Sequence, residues 1–104
     1  MNVQTVRRKV TVMDPMGLHM RPLTAFAQRA LQFKCEVVVA KGNTRVNGKS
    51  PLELMLLAAP QGAELVLEAS GEDAEAAMAV LADLLQSPGH EEAVSEAEQA
   101  GGPS

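Results

Sequence analysis

The stretch Gly17-Leu18-His19-Met20-Arg21-Pro22 sets an imidazole and a guanidinium two residues apart. It stands between a segment that alternates like a strand and one that repeats like a helix. If a helix begins near Met20, its first amides have no partner inside the helix and point toward His19, and Arg21 adds a fork of donors. Such a junction holds an anion, with helix-end contacts worth about 0.3–1 kcal/mol each and up to about 2 when partly buried. An imidazole nitrogen with a lone pair can attack phosphorus, and the phosphoryl group it takes would be a dianion against those amides. Arg21 would hold its oxygens by charge-assisted hydrogen bonds, Pro22 leaves no N–H unsatisfied in the first turn, and Gly17 allows a close turn into the site. Taken alone, His-x-Arg is more simply a helix cap beside a surface cation. The surrounding chain decides.

The elements around the pair follow from periodicity. Val6, Val10 and Val12 alternate with Arg7, Lys9 and Thr11, which predicts a strand over Thr5 to Met13, ended by Asp14, Pro15 and Gly17. Leu23, Phe26, Ala27, Ala30 and Leu31 recur at helical spacing and predict a helix from Met20 to about Phe33 with one buried stripe. A β-branched run from Cys35 to Ala40, turn residues Lys41 to Thr44 and a short return over Arg45 to Asn47 make a hairpin. Ser50 and Pro51 fit the N-cap and first position of a short helix running to about Ala59, where Pro60-Gln61-Gly62 breaks it. Leu52, Leu54, Met55, Leu56 and Leu57 make this helix apolar nearly all round, so part of it should form an exposed patch for a partner.

Ala63, Leu65, Leu67 and Ala69 alternate with Glu64, Val66 and Glu68, giving a strand with one solvated side. Ser70 to Asp73 carries an S-x-x-D helix start, followed by Ala74, Ala77, Met78, Leu81, Leu84 and Leu85 at helical spacing to about Gln86. The order β-α-β-β-α-β-α is that of an α+β domain, helices on one face of a sheet and solvent on the other. Residues 1–87 form the expected domain. Residues 88–104, rich in Glu, Ala and Gly with few large apolar residues, form an expected disordered acidic tail. His90 lies there with none of the helix-end chemistry and is assigned no catalytic role.

Whole-chain properties narrow the function. The 104 residues, 46% of them hydrophobic, suffice for one core. Cys35 is single, so no internal disulfide forms, and its strand setting predicts a small buried thiol. No apolar run suits a signal peptide or a membrane span, which leads us to expect a soluble cytoplasmic protein. Residues 1–50 hold all nine Lys and Arg against Asp14 and Glu36, a net +7; the rest of the chain holds eleven acids and no Lys or Arg, a net −11. With no Trp or Tyr, and with Phe26 and Phe33 on core spacing, the basic half lacks the stacking platforms of nucleic-acid binders. A basic surface around an anion site, docking an acidic protein, fits the charge better. Neither a Gly-rich phosphate loop nor a metal-spaced His/Cys cluster is present, and no cofactor or metal is expected.

The sequence "GLHMRPL" resembles the G-[aliphatic]-H-A-R-P-A signature of the HPr family, the histidine-containing phosphocarriers of the bacterial phosphoenolpyruvate-dependent sugar phosphotransferase system, at Gly17, Leu18, His19, Arg21 and Pro22. A second block, "GKSPLELMLLAAPQGAELVLEASG", is similar to the family's G-K-S, short apolar helix, small-residue turn and final strand. The likeness covers roughly residues 4 to 87 with the spacing between the blocks preserved. It implies an open-faced β-sandwich, a four-stranded antiparallel sheet covered on one face by three helices, in a monomer that is not itself an enzyme. It further implies that His19 takes a phosphoryl group on Nδ1 from Enzyme I and passes it to an Enzyme IIA domain, with Arg21 stabilising it. Met20, Thr24, Leu52 and Met55 would line the partner-binding surface. Ser50 matches a regulatory serine phosphorylated by an HPr serine kinase/phosphorylase, where the added charge would repel an acidic partner.

The chain departs from the family in three places. Met20 and Leu23 replace small residues on either side of Arg21-Pro22, adding bulk near the ring; Pro51 follows Ser50 where an aliphatic residue is usual; and the acidic tail has no usual counterpart. Two other readings stand beside sugar transport: a carrier in a regulatory or nitrogen-type phosphotransferase chain, and a non-transferring regulator acting through Ser50 and the second helix.

Overall fold

A computed structural model describes residues 4–86, so the expected tail at 88–104 lies outside the described residues. The elements run β1 (Thr5–Thr11), α1 (Met20–Ala30), β2 (Glu36–Lys41), β3 (Thr44–Asn47), α2 (Pro51–Leu54) continued by a 3-10 turn (Met55–Leu57), β4 (Glu64–Ser70) and α3 (Ala74–Gln86). The strands form one antiparallel sheet in the order β1-β4-β2-β3. The four strands and three helices are those expected.

The sheet is two-faced because its strands alternate. Val10, Val37, Val39, Leu65, Leu67 and Ala69 are buried beneath the helices. Between them, Arg7, Glu68 and Val38 sit side by side in register on the other face. Helix α1 contributes Leu23, Phe26, Ala27 and Ala30 to the core, and α3 contributes Ala77, Met78, Leu81 and Leu85 among others. Burying each large side chain is worth about 1.5–3 kcal/mol, so this interdigitated layer carries the fold.

Several boundaries differ from expectation. Strand β1 ends at Thr11; Val12 stays buried and donates to the carbonyl of Ala63 at 2.9 Å, but Met13 turns outward, half exposed. Helix α1 ends at Ala30, and Gln32 and Phe33 donate three residues back, to Arg29 and Ala30. Leu31, expected in the buried stripe, is 62% exposed. Eight residues from Leu23 at about 100° per residue puts it about 80° round the helix, at the edge of the stripe where the helix stops.

The second helix is shorter than expected. Ala59 precedes Pro60, whose ring disfavours the helical conformation one residue back. The helix therefore ends early, in a 3-10 turn followed by Ala58 in the left-handed region at φ 46°. At α3, Ser70 does not cap; its hydroxyl meets that of Thr5 at 3.1 Å. Asp73 precedes the helix and sends its carboxylate to the chain entering β2, accepting from the amides of Lys34 at 2.8 Å and Cys35 at 2.9 Å. Those bonds hold the Asp73 carboxyl below its usual range, the Lys34 amide most of all. Cys35 is buried as expected, and burial followed by the nearby Asp73 carboxylate pushes its thiol up.

Candidate functional site

His19 is the residue before α1, with an extended backbone (φ −125°, ψ −178°), and its carbonyl accepts the Leu23 amide at 3.1 Å. It thus starts the helix through its backbone, while its ring makes no capping bond. A ring spent on capping would be unavailable for chemistry. Here the side chain is about one-third exposed, and among the described residues Nδ1 has no hydrogen-bond partner. The first-turn amides of Met20 and Arg21 have no acceptor within the helix, and no acidic residue occupies that turn. The arrangement suits an arriving anion.

The loop before the helix is fixed by three contacts. Gly17 adopts φ +74° and donates to the Asp14 carbonyl at 2.8 Å. Leu18 donates to the carbonyl of Ala59 at 2.8 Å, and Gln61 Nε2 donates to the carbonyl of Met13 at 3.3 Å. A Cβ on Gly17 would stand 2.6 Å from the Ala59 oxygen and 2.9 Å from Pro60 Cα. Glycine is required there both for the φ and for the close approach.

Asp14 was expected only to end β1. Its Oδ1 accepts the Met16 amide at 2.9 Å, closing an Asx turn, and its Oδ2 lies 3.7 Å from His19 Nε2. An Asp followed two residues later by a free amide was the available signal, but which side chain that turn would face is not written in the local sequence.

The other expected site residues divide by location. Met20 and Arg21 are exposed on the first turn of α1, and Thr24, half-buried, is one turn on from Met20. Leu52 (79% exposed), Met55 (46%) and Leu56 (69%) form the open side of the α2 segment, which neighbours α1, while Leu54 and Leu57 face the core. The expectation of an exposed apolar patch is met. Met16, 76% exposed, adds to the uncovered methionines of the 13–20 region. Leu23 is 2% exposed and belongs to the core, as its place in the helical stripe predicts, so of the two bulky replacements Met20 is the one that adds volume at the surface.

Ser50 caps α2, its Oγ accepting the Glu53 amide at 3.2 Å. The Glu53 carboxylate reaches back to the Asn47 amide at 2.9 Å, so the G-K-S segment is tied at both ends. A cleft of about 390 Å³ opens elsewhere, near Lys34, Cys35, Arg45 and Lys49. Lys49 there donates to the Phe33 carbonyl at 2.8 Å and Arg45 to Glu68, so these cations are already engaged. Among the described residues no three His, Cys, Asp or Glu side chains gather as metal ligands, and no helix is long and apolar enough to cross a membrane.

An open-faced α+β sandwich with an accessible histidine at the start of its first helix defines a class of small phosphocarrier-like proteins. The family model described as "PTS HPr component phosphorylation site" matches residues 6–87. The phosphocarrier protein HPr of Neisseria meningitidis is 44% identical over 80 residues, covering 77% of this chain and 90% of that protein. The crystal structure of HPr from Bacillus anthracis superposes with a TM-score of 0.75 at 34% identity, covering 79% of this chain and 98% of that one. Crh of Bacillus subtilis, described in its crystal structure as a swapped-domain dimer, gives a TM-score of 0.64 at 40% identity, covering 77% and 92%. The chain belongs to the HPr family of the phosphotransferase system.

Proposed function

We propose that this protein carries phosphoryl groups in a bacterial phosphotransferase chain, accepting them on His19 Nδ1 from phospho-Enzyme I and passing them to an Enzyme IIA domain. One observation carries the reading: His19 starts α1 with its backbone alone, leaving Nδ1 without a partner among the described residues at the helix end. In the transfer the Nδ1 lone pair attacks phosphorus, the first-turn amides and the Arg21 guanidinium receive the phosphoryl oxygens, and the next acceptor reverses the bond. The protein supplies a nucleophile and an anion cradle while its partners supply the rest of the chemistry, so it is a carrier and not an independent enzyme.

The exposed Met20, Leu52 and Met55, with Thr24, form the partner-docking surface, and the basic first half of the chain attracts acidic partners. It acts as a soluble, cytoplasmic monomer on a domain spanning residues 1–87. Ser50 is a second, regulatory site for a serine kinase. Its engagement as the cap of α2 favours a structural duty in the unmodified protein.

The test is incubation with phosphoenolpyruvate, magnesium and Enzyme I. Wild type should acquire an acid-labile, alkali-stable phosphate that His19→Ala lacks. A wild type that stays unlabelled with its own organism's Enzyme I overturns the carrier reading and favours a non-transferring regulator acting through Ser50 and α2. Delivery of the label to a sugar-specific IIA domain separates transport from a regulatory or nitrogen-type chain. Light scattering in solution separates the monomer from a swapped dimer.

A further inference from the structure

We propose that Asp14 is a positioning residue for His19: its carboxylate keeps the ring proton on Nε2, so that the lone pair offered to phosphorus is the one on Nδ1. The inference rests on the reading of His19 as a phosphoryl acceptor. It is carried by the way Asp14 is held. Oδ1 accepts the Met16 amide at 2.9 Å and the backbone carbonyl accepts the Gly17 amide at 2.8 Å, so side chain and main chain are both anchored within one short turn. The remaining oxygen, Oδ2, faces His19 Nε2 at 3.7 Å. An ionised carboxylate only accepts, so the ring nitrogen nearest it is favoured in its N–H form. Neutral imidazole has one N–H and one lone pair, and fixing the first at Nε2 leaves the second at Nδ1.

The same placement serves the transfer. The Nδ1 lone pair forms the N–P bond as the bond from phosphorus to the donor breaks, its electron pair staying with the donor. Nε2 keeps its proton throughout, so no proton has to leave or arrive. The phosphorylated ring is then an imidazolium, and its positive charge forms beside Asp14. On delivery the N–P pair returns to Nδ1 and the ring is neutral again.

Asp14→Asn tests this with the turn preserved. The amide oxygen of Asn can still accept from Met16, which aims the NH2 donor at Nε2 and favours the opposite tautomer. Two quantities are read on the full chain: the imidazole tautomer ratio by nitrogen NMR at alkaline pH, and the rate of labelling by phosphoenolpyruvate, magnesium and Enzyme I. Wild type should be mainly Nε2–H. Asp14→Asn should lower the Nε2–H to Nδ1–H ratio by roughly two- to fivefold, the scale of a partly exposed ion pair, with labelling slowed alongside and the Met16, Gly17 and Leu18 amide signals in place. Asp14→Ser, whose hydroxyl can take the Met16 amide but cannot reach the ring, should fall between. Equal tautomer ratios in wild type and both variants overturn the role of Asp14, whatever the labelling does. An Nε2–H wild type that takes no label overturns the carrier reading instead.

Discussion

The amide of Leu18 donates to the carbonyl of Ala59 at 2.8 Å, so the residue before His19 is fastened to the residue before Pro60. The two signature blocks of the sequence meet in that bond, and Gly17 is the position that lets them. Gly17→Ala must leave the left-handed region or strain within it, at about 1–2 kcal/mol, and must displace backbone at Ala59, which adds about 1–3 kcal/mol. We expect a lower urea midpoint and a labelling rate depressed by more than the unfolded fraction accounts for.

On the open face, Glu68 accepts from Arg45 Nη2 at 2.9 Å and from Arg7 Nε at 2.8 Å. The Arg45 bonds first, then Arg7, lower its carboxyl from about 4.5 to about 2. A folded value below the unfolded one means the unfolded chain binds more protons between them, so the contribution to stability is present above about pH 4.5 and lost as pH falls toward 2. Glu68→Gln should flatten that acid limb in denaturant titrations across pH. The neutral-pH loss should be small, since both guanidiniums are more than half exposed and screened.

Ser50→Ala removes the acceptor for the Glu53 amide and should cost about 1 kcal/mol, the usual cost of losing such a cap. Ser50→Asp keeps a capping oxygen and adds a charge beside Leu52 and Met55. Its stability should stay near wild type while the KM for Enzyme I rises. Thermal melts and labelling kinetics on the two variants separate the cap from the docking effect.

Cys35 is 2% exposed, and burial with the Asp73 carboxylate raises its thiol. Less thiolate and no access both slow attack on a disulfide reagent. We expect Cys35 to react with a chromogenic disulfide at the rate of local or global opening, and Asp73→Asn to accelerate it. Reaction at the rate of a free thiol in folded wild type would contradict this.

Wherever burial alone decides, the sequence was easily read. The stripe Leu23, Phe26, Ala27 and Ala30 and the alternation Leu65, Leu67, Ala69 located their elements because one face had to leave water. Helix ends were harder. Leu31 and Leu23 are chemically alike, and what separates the exposed one from the buried one is that Leu31 lies at the edge of the stripe where α1 ends. The early stop of the second helix was implicit in Pro60, but the left-handed Ala58 that completes it depends on how the chain must turn toward β4. His19 and Arg21 were found because their motif is local. Asp14 and Asp73 were not, because each acts on a neighbour that the turn or the tertiary fold brings to it.

The strand order has a consequence for the timing of synthesis. Among the described residues strand β1 pairs only with β4, Thr5 opposite Ser70, and the loop carrying His19, closed on itself at Asp14, is fastened to the rest of the fold by Leu18 on Ala59, with Val12 on Ala63 just before it. A nascent chain that has emerged only as far as the hairpin displays the whole Gly17-to-Pro22 motif without the Ala59 carbonyl that fastens it. A partner that recognises the folded site would ignore ribosome-bound fragments until the segment through Ser70 is out, so His19 becomes competent only after β4 has followed it.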